Sequence, residues 1–301
     1  MNVLSLFDGI SCGRIALERA GIKVDKYYAS EIEPSAIQVT QTHYPDTIQL
    51  GNVFDLNFEE LKKLNIDMVI GGSPCTFWSI SRRDRETTCE GFGFELFSKY
   101  EEAVKVLCPK YFLYENNYKI AEEITNEITE RLGVRPKVVN SALVSGQQRY
   151  RQYWTNIDFT FPEDKRICVN DIIDLEAKEE EDLMYCSKIR KECNQYSPKC
   201  VRIGEIGKGG QGERIYSVYG KSVTLTANGG GRGAKTGLYL INNTVRKLSC
   251  LEAERLQTLP DNYTVILKSK SDRYKAIGNG WTVDVIAHIF SFLPDEYKIK
   301  E

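Results

Sequence analysis

The first 160 residues of the chain repeat one pattern, and that pattern leaves few folds open. A short apolar run ends in a turn, a stretch of helical spacing follows, and the sequence begins again. "NVLSLF" stops at Asp8-Gly9 before the helical "CGRIALERAG", which Gly21 closes. "KYYAS" precedes "EPSAIQVTQTHY", with Pro34 near the helix start. "TIQL" precedes "FEELKKL", "DMVIGGS" precedes "ELFSKYEEAVKVL", and "YFLYEN" precedes "YKIAEEITNEITERLG", which closes at Gly133. "PKVVNSALV" and "QYWTNIDF" supply further strand material. Alternation of this kind predicts an α/β fold with a mostly parallel sheet covered on both faces.

The pattern breaks later in the chain. Gly204 to Gly237 holds eleven of the 23 glycines, and "GKSVTLTANGGGRGAKTGLYLI" reads as short strands and loops. "LSCLEAERLQTLP" restores a helix, with Ser249 as N-cap and Glu252 completing a capping box. "WTVDVIAHIFSFL" is a further amphipathic helix of the kind seen in the first half. A discontinuous large domain, interrupted by a smaller one, is expected. Charge follows the same division. Met184 to Lys247 carries twelve Lys and Arg against three Glu, a balance of +9, so a net charge of −2 leaves −11 for the rest. The acidic "LEAKEEEDL", Leu175 to Leu183, reads as an exposed connector. A segment this basic beside an acidic body predicts a polyanionic partner.

Several classes are disfavoured. No run approaches the roughly 18 apolar residues that span a membrane. Met1 leads into an apolar strand without a basic leader, so no secretory signal is expected. Nine cysteines, none in a C-x-x-C pair, and only His43 and His288 argue against a disulfide framework and a common zinc site. Cys186, Cys193 and Cys200 recur every seven residues, a weak metal pattern, and no metal is expected. The expected setting is a reducing cytosol.

Reactive residue types gather just after the strands. "FDGISCG", Phe7 to Gly13, puts glycines between the first strand and its helix, where a ligand can approach the backbone closely. A tight turn with no ligand fits that stretch as well. Glu31 ends the second strand, about 20 residues on, where an acidic group commonly binds a ribose hydroxyl pair. Asn52 follows the third strand. Three such strand ends suggest a nucleoside-type cofactor, and the lack of G-x-x-x-x-G-K-[ST] disfavours ATP hydrolysis. Cys75 follows the fourth strand in "VIGGSPCTFWSIS". A buried cysteine is the usual reading of an arbitrary Cys. Neither histidine is placed to act as its base, since His43 closes a helix and His288 lies inside one. Glu115 ends the fifth strand, so a carboxyl should lie near the thiol, although Glu-Asn at a strand end can also cap a turn.

These stretches together resemble the DNA cytosine C5-methyltransferases, especially the compact phage and bacterial forms. "LFDGISCG", "ASEIEPSA", "GNVFDL", "GGSPC", "YEN", "QQRYR", "RKLSCLEAERLQTLP" and "AIGNGWTV" are similar to that family's motifs, in its order and over nearly the whole chain. The resemblance implies a Rossmann-like S-adenosylmethionine-dependent methyltransferase fold. Residues 1–165 would form the catalytic and cofactor-binding domain. Residues 166–275 would form a small, mainly β/loop target-recognition domain, with 276–301 returning to the first. It further implies double-stranded DNA as partner, a monomer, and S-adenosylmethionine as donor, leaving S-adenosylhomocysteine. Cys75 would attack C6 of a cytosine flipped out of the duplex, and Glu115 would engage N3. Arg149 and Arg151 would hold Glu115 and the base carbonyl. Phe7, Asp8, Gly9, Ile10, Cys12 and Gly13 would line the methionine side of the donor, with Pro74 beside them. Glu31 would take the ribose hydroxyls, Ile32 would pack on adenine, and Asn52 and Val53 would read its edge. Asn279 and Trp281 would complete the pocket. Arg232 and Lys235 are candidates for base or phosphate contact, and Ser81 to Phe94 for a loop closing over the flipped base.

The chain departs from the family at Thr76, where Gln or Asn is frequent, at Asn117 for Val, at Asn52 for Asp and at Cys250 for Pro. Three neighbouring readings are an RNA cytosine C5-methyltransferase, a catalytically silent DNA-binding homologue, and the same fold using a modified sulfonium. The intact Cys75, Glu115 and double-Arg set speaks against the silent homologue.

Overall fold

A computed structural model describes residues 1–80, 82–177, 188–189, 194–227 and 231–299. The chain divides into two compact units. The first comprises Met1–Val139, Tyr150–Phe161 and Ile286–Glu301, and the second Asn140–Arg149 and Pro162–Val285.

The first unit is built on the strands β1 (Asn2–Leu6), β2 (Lys26–Ser30), β3 (Ile48–Gln49), β4 (Met68–Gly71), β5 (Tyr111–Asn117), β6 (Lys137–Asn140) and β7 (Tyr150–Thr155). Their order in the sheet is β3-β2-β1-β4-β5-β7-β6. Strands β1 to β5 pair in parallel, and β7 runs antiparallel to β5. Val3, Leu4, Leu6, Met68, Val69 and Ile70 are all buried, the near-continuous apolar filling of strands covered on both faces. Helices α1 (Cys12–Arg19), α2 (Pro34–His43), α3 (Phe58–Leu61), α4 (Phe92–Leu107) and α5 (Glu122–Leu132) separate the strands. Gly133 ends α5 with φ 69°, where its N–H reaches the carbonyls of Thr129 and Glu130. The third strand is only two residues long, and α4 begins at Phe92, three residues before the helical spacing suggested.

Strand order reverses at β1, with β2 on one side and β4 on the other. Open α/β sheets bind ligands in the crevice beyond the carboxyl ends at such a point. Leu6 is in register with Ser30 on β2 and Gly71 on β4, and Gly71 with Tyr114 on β5. The next residues along these strands are therefore Phe7, Glu31, Gly72 and Glu115, in one row at one edge. Gly71 has no alternative, because a Cβ there would lie 2.7 Å from the Leu6 carbonyl oxygen and 3.1 Å from the Tyr100 ring.

The second unit carries strands β8 (Lys188–Ile189), β9 (Arg202–Glu205), β10 (Arg214–Tyr216), β11 (Leu238–Ile241) and β12 (Thr244–Lys247), in the order β12-β11-β10-β9-β8. Ile203, Ile206, Ile215, Leu238 and Val245 form its small apolar core. Two helices follow, α6 (Cys250–Leu256) and α7 (Lys270–Asn279), and α8 (Val283–Phe290) carries the chain back to the first unit. The Ser249–Glu252 capping box opens α6. Helix α7 was not legible as a periodic stretch.

Polar groups bind the interior of this unit. Lys221, 1% exposed, donates to the carbonyls of Ala142 (2.6 Å), Ser145 (3.1 Å) and Ile167 (2.5 Å). Gln257 donates to the carbonyls of Ile277 and Gly280, and accepts from Gln147 and Thr282. Arg246 grips the buried Glu252 with two bonds of 2.7 Å. Removing one partner of such a pair strands a buried charge, at about 3–5 kcal/mol. Arg246→Met should lower the urea unfolding free energy by about that amount, and adding Glu252→Gln should recover part of the loss.

Most of the acidic connector, along with Cys186 and Cys193, lies outside the described residues. Among the described residues no helix is long and apolar enough to cross a membrane, and no group of three or more His, Cys, Asp and Glu is placed to hold a metal ion.

Candidate active site

The turn after β1 is shaped for close approach of a ligand. Phe7, Gly9 and Ser11 have φ of 60°, 59° and 57°, the left-handed region. A Cβ at Gly9 would meet nothing within 4 Å, so open space lies over this backbone. Glu31 organises the turn from the neighbouring strand. Its Oε2 accepts from the Gly9 N–H at 2.7 Å, and its Oε1 from the N–H groups of Ile32 (2.7 Å) and Glu33 (2.8 Å). A carboxylate has about four acceptor positions, so three amides leave roughly one for a ligand hydroxyl. Ile32 stands beside it 69% exposed, an apolar platform open to solvent. Asn52 Oδ1 accepts from the Phe54 N–H at 3.1 Å, and Val53 is buried. Ile10 and Cys12 are buried, and Phe7 packs against the core. An open cradle, a partly satisfied carboxylate and an exposed apolar side chain fit a nucleoside with an attached amino-acid chain.

Beneath the turn lies a polar floor. Asp8 is buried, and its carboxyl takes the Ser11 hydroxyl at 2.5 Å and the Tyr27 hydroxyl at 2.8 Å. Ser11 also meets Thr40 at 2.9 Å. The Arg14 guanidinium, bonded to Asp46 and Thr47, lies over the Tyr27 and Tyr44 rings. Burial pushes the Asp8 carboxyl up to about 6, against the opposing hydrogen bonds of Ser11, Ser5 and Tyr27.

On the other side of β1, Pro74 opens a single 3-10 turn, Cys75–Phe77, that places Cys75 half-exposed just beyond β4. The loop behind it is tied back by Glu86, whose N–H donates to the Phe77 carbonyl and whose Oε2 accepts from Gly93 at the start of α4. Arg85 donates to the Lys119 carbonyl. Ser81 lies outside the described residues. Glu115 and Arg151 form an ion pair, with Nε–Oε1 2.9 Å and both side chains nearly buried. The pairing follows from register, since Glu115 lies opposite Tyr153 and Asn117 opposite Arg151 across β5 and β7.

The remaining candidates belong to the second unit. Arg149 is 4% exposed and donates to the carbonyls of Leu225 (3.4 Å), Gly278 (3.1 Å) and Gly280 (3.1 Å), a clamp on backbone that spacing did not suggest. Asn279, exposed, ends α7, and Trp281 is half-buried two residues on. Arg232 is exposed, while Lys235 donates to Ser271 at 3.0 Å and lies over the Tyr274 ring.

Local patterns missed three residues around Cys75. Ser73, Tyr114 and Asn116 form a buried cluster behind the thiol's turn, with Ser73 Oγ 2.6 Å from the Tyr114 hydroxyl. Their only signal is position, one serine two residues before Cys75 and one side chain on each side of Glu115.

The fold's dependence on Asp8 is testable by pH. The folded chain holds the proton more tightly than the unfolded one, whose carboxyl titrates near 3.8. The resulting stability is fully present below 3.8 and is lost as pH rises through about 6. That interval corresponds to about 3 kcal/mol. Asp8→Asn should gain stability relative to the parent between pH 4 and 7 in urea unfolding, and an unchanged difference would show that Asp8 does not titrate there.

Comparison with known proteins extends this geometry. The family model for C-5 cytosine-specific DNA methylase matches residues 1–158 and 137–294. The chain is 33% identical to the type II methyltransferase M.HhaI of Haemophilus parahaemolyticus, over 96% of this chain and 93% of that one. It is 23% identical to the type II methyltransferase M.Bsp6I of a Bacillus species, over 96% and 97% of the two chains. The crystal structure of the S. pombe Dnmt2 methyltransferase shares the fold, with a TM-score of 0.68 at 17% identity over 97% of this chain and 98% of that one.

Proposed function

The chain belongs to the C-5 cytosine-specific DNA methylase family and is a DNA cytosine C5-methyltransferase, and from that premise we propose how its residues perform the reaction. Cys75 is the nucleophile and adds through its thiolate to C6 of the target cytosine. Glu115 engages N3 and draws electron density from the ring as the C6–S bond forms. C5 then carries enamine character and attacks an electrophilic carbon. Loss of the C5 proton and expulsion of Cys75 restore the aromatic ring and the free thiol. The observation that carries this reading is the meeting of Glu115 with Arg151 one strand away from the Cys75 turn. The guanidinium orients the carboxyl that would meet the base.

S-adenosylmethionine, when bound, would supply the methyl group on a sulfonium, whose methyl–sulfur bond breaks with its electron pair on sulfur to leave S-adenosylhomocysteine. The Phe7–Gly13 turn, Glu31, Ile32, Asn52, Val53 and Pro74 would hold it, and Asn279 and Trp281 belong to the proposed cofactor set by their motif. Glu31 supplies its remaining acceptor position to a ribose hydroxyl, and Ile32 its exposed face to the adenine. Arg149 belongs to the proposed catalytic set by its motif. In a stacked duplex the target carbon is inaccessible, so the base must leave the helix. The basic second unit supports the reading of duplex DNA as the surface it covers, with Arg232 and Lys235 as contacts. The proposed working form is a monomer in the cytosol, where Cys75 stays reduced.

Labelled-methyl transfer from S-adenosylmethionine to duplex DNA tests the assignment. Cys75→Ala should abolish turnover, and full activity in that variant would overturn the mechanism. Glu115→Gln keeps the shape and loses the charge, and should lower kcat by about 10²-fold or more. Paired assays on duplex DNA and on tRNA measure the preference for DNA.

A further inference from the structure

Cys75 and Glu115 come from different strands, and both must be held to one geometry. The structure shows how a single strand can do this. Side chains alternate along β5. Glu115 points to one face and meets Arg151. Its neighbours Tyr114 and Asn116 share the other face, and both reach Ser73, two residues before Cys75. The Tyr114 hydroxyl lies 2.6 Å from Ser73 Oγ, and Asn116 Nδ2 donates to the Ser73 carbonyl at 3.2 Å. Asn116 Nδ2 also lies 3.3 Å from the Tyr114 oxygen and 3.5 Å from Ser73 Oγ, and either hydroxyl can be the donor in the bond between Ser73 and Tyr114. The Asn116 amide is itself oriented, since its Oδ1 accepts from the Asn117 N–H at 2.8 Å.

This cluster is rigid for identifiable reasons. The Tyr114 ring is fully buried among Phe97, Tyr100 and Trp154, with centroids at 5.2, 4.8 and 5.7 Å. Ser73 and Asn116 are 4% and 1% exposed, so water does not compete for their bonds. Between Ser73 and the thiol stands Pro74, whose ring removes one backbone rotation from the connection.

We propose that Tyr114 is a positioning residue, fixing the Cys75 turn through Ser73 to the same strand that carries Glu115. The nucleophile and the carboxyl then move as one body, and an error in either strand's placement shifts both together. The proposal rests on the reading of Cys75 as nucleophile.

The test is a double-mutant cycle on the full chain, read by steady-state methylation of a duplex DNA well below the melting temperature of each variant. Tyr114→Phe removes the hydroxyl and keeps the packed ring. Its kcat should fall roughly 10- to 100-fold, the size expected when a reacting group is misplaced, while KM for DNA and for S-adenosylmethionine stays within about twofold. Ser73→Ala, a smaller change, should give a similar fall. The double variant should be no slower than the slower single one, because both lose the same bond. An unchanged kcat in Tyr114→Phe, losses that multiply, or losses confined to KM would each overturn the proposal. Cys75→Ala run alongside separates the two levels. If it retains turnover, the nucleophile reading fails. If it is inactive while Tyr114→Phe is fully active, the positioning role alone fails.

Discussion

Parallel pairing of β1 with β2 and β4 is the constraint on which the site depends. It puts Leu6, Ser30 and Gly71 in one row, and β5 extends that row to Tyr114. Whatever follows each strand must then emerge at one edge. The Phe7–Gly13 turn, Glu31, the Cys75 turn and Glu115 are spread over more than a hundred residues of sequence, yet they share this exit. The fit is tight where β1 and β4 end, since Gly71 leaves room for nothing larger than hydrogen. A change in register of any strand here would do more than weaken the sheet. It would send the next reactive residue to the opposite face.

The edge is maintained by polar groups that are themselves buried. Glu31 spends most of its acceptor capacity on the amides of Gly9, Ile32 and Glu33, so it builds the turn before it binds anything. Asp8 closes the floor with two hydroxyls, and burial makes its charged form costly. Such networks specify a geometry when every member is satisfied. The second unit uses the same device on a larger scale. There Lys221, Arg149 and Gln257 all donate to backbone carbonyls, joining segments distant in sequence. Arg149 therefore has a structural task within its unit alongside any part in catalysis.

Much of the architecture was legible in one dimension. The strand–helix alternation, the glycine that closes α5 and the Ser249–Glu252 cap are all signals within a few residues, and local hydrogen bonding decides them. Helix α7 was missed because "KSDRYKAIGN" lacks a clear apolar stripe. Strand β3 is shorter than its apolar run because only Ile48 and Gln49 find partners on β2. Among the candidate site residues, Cys75, Glu115 and Glu31 were singled out by position, since strand ends are where an α/β sheet presents its chemistry.

By itself, then, the sequence determined the fold class, the strand ends that share one edge, and the thiol and carboxyl proposed to react there. Periodicity, turn residues and the order of motifs carry that information locally. Tertiary structure alone decided what holds those groups still. Ser73 meets Tyr114 and Asn116 across some forty residues, and Arg149 meets carbonyls more than seventy residues away. Such pairs leave no trace in spacing. They exist because buried polar atoms must find partners wherever packing brings them, and packing is a property of the folded chain.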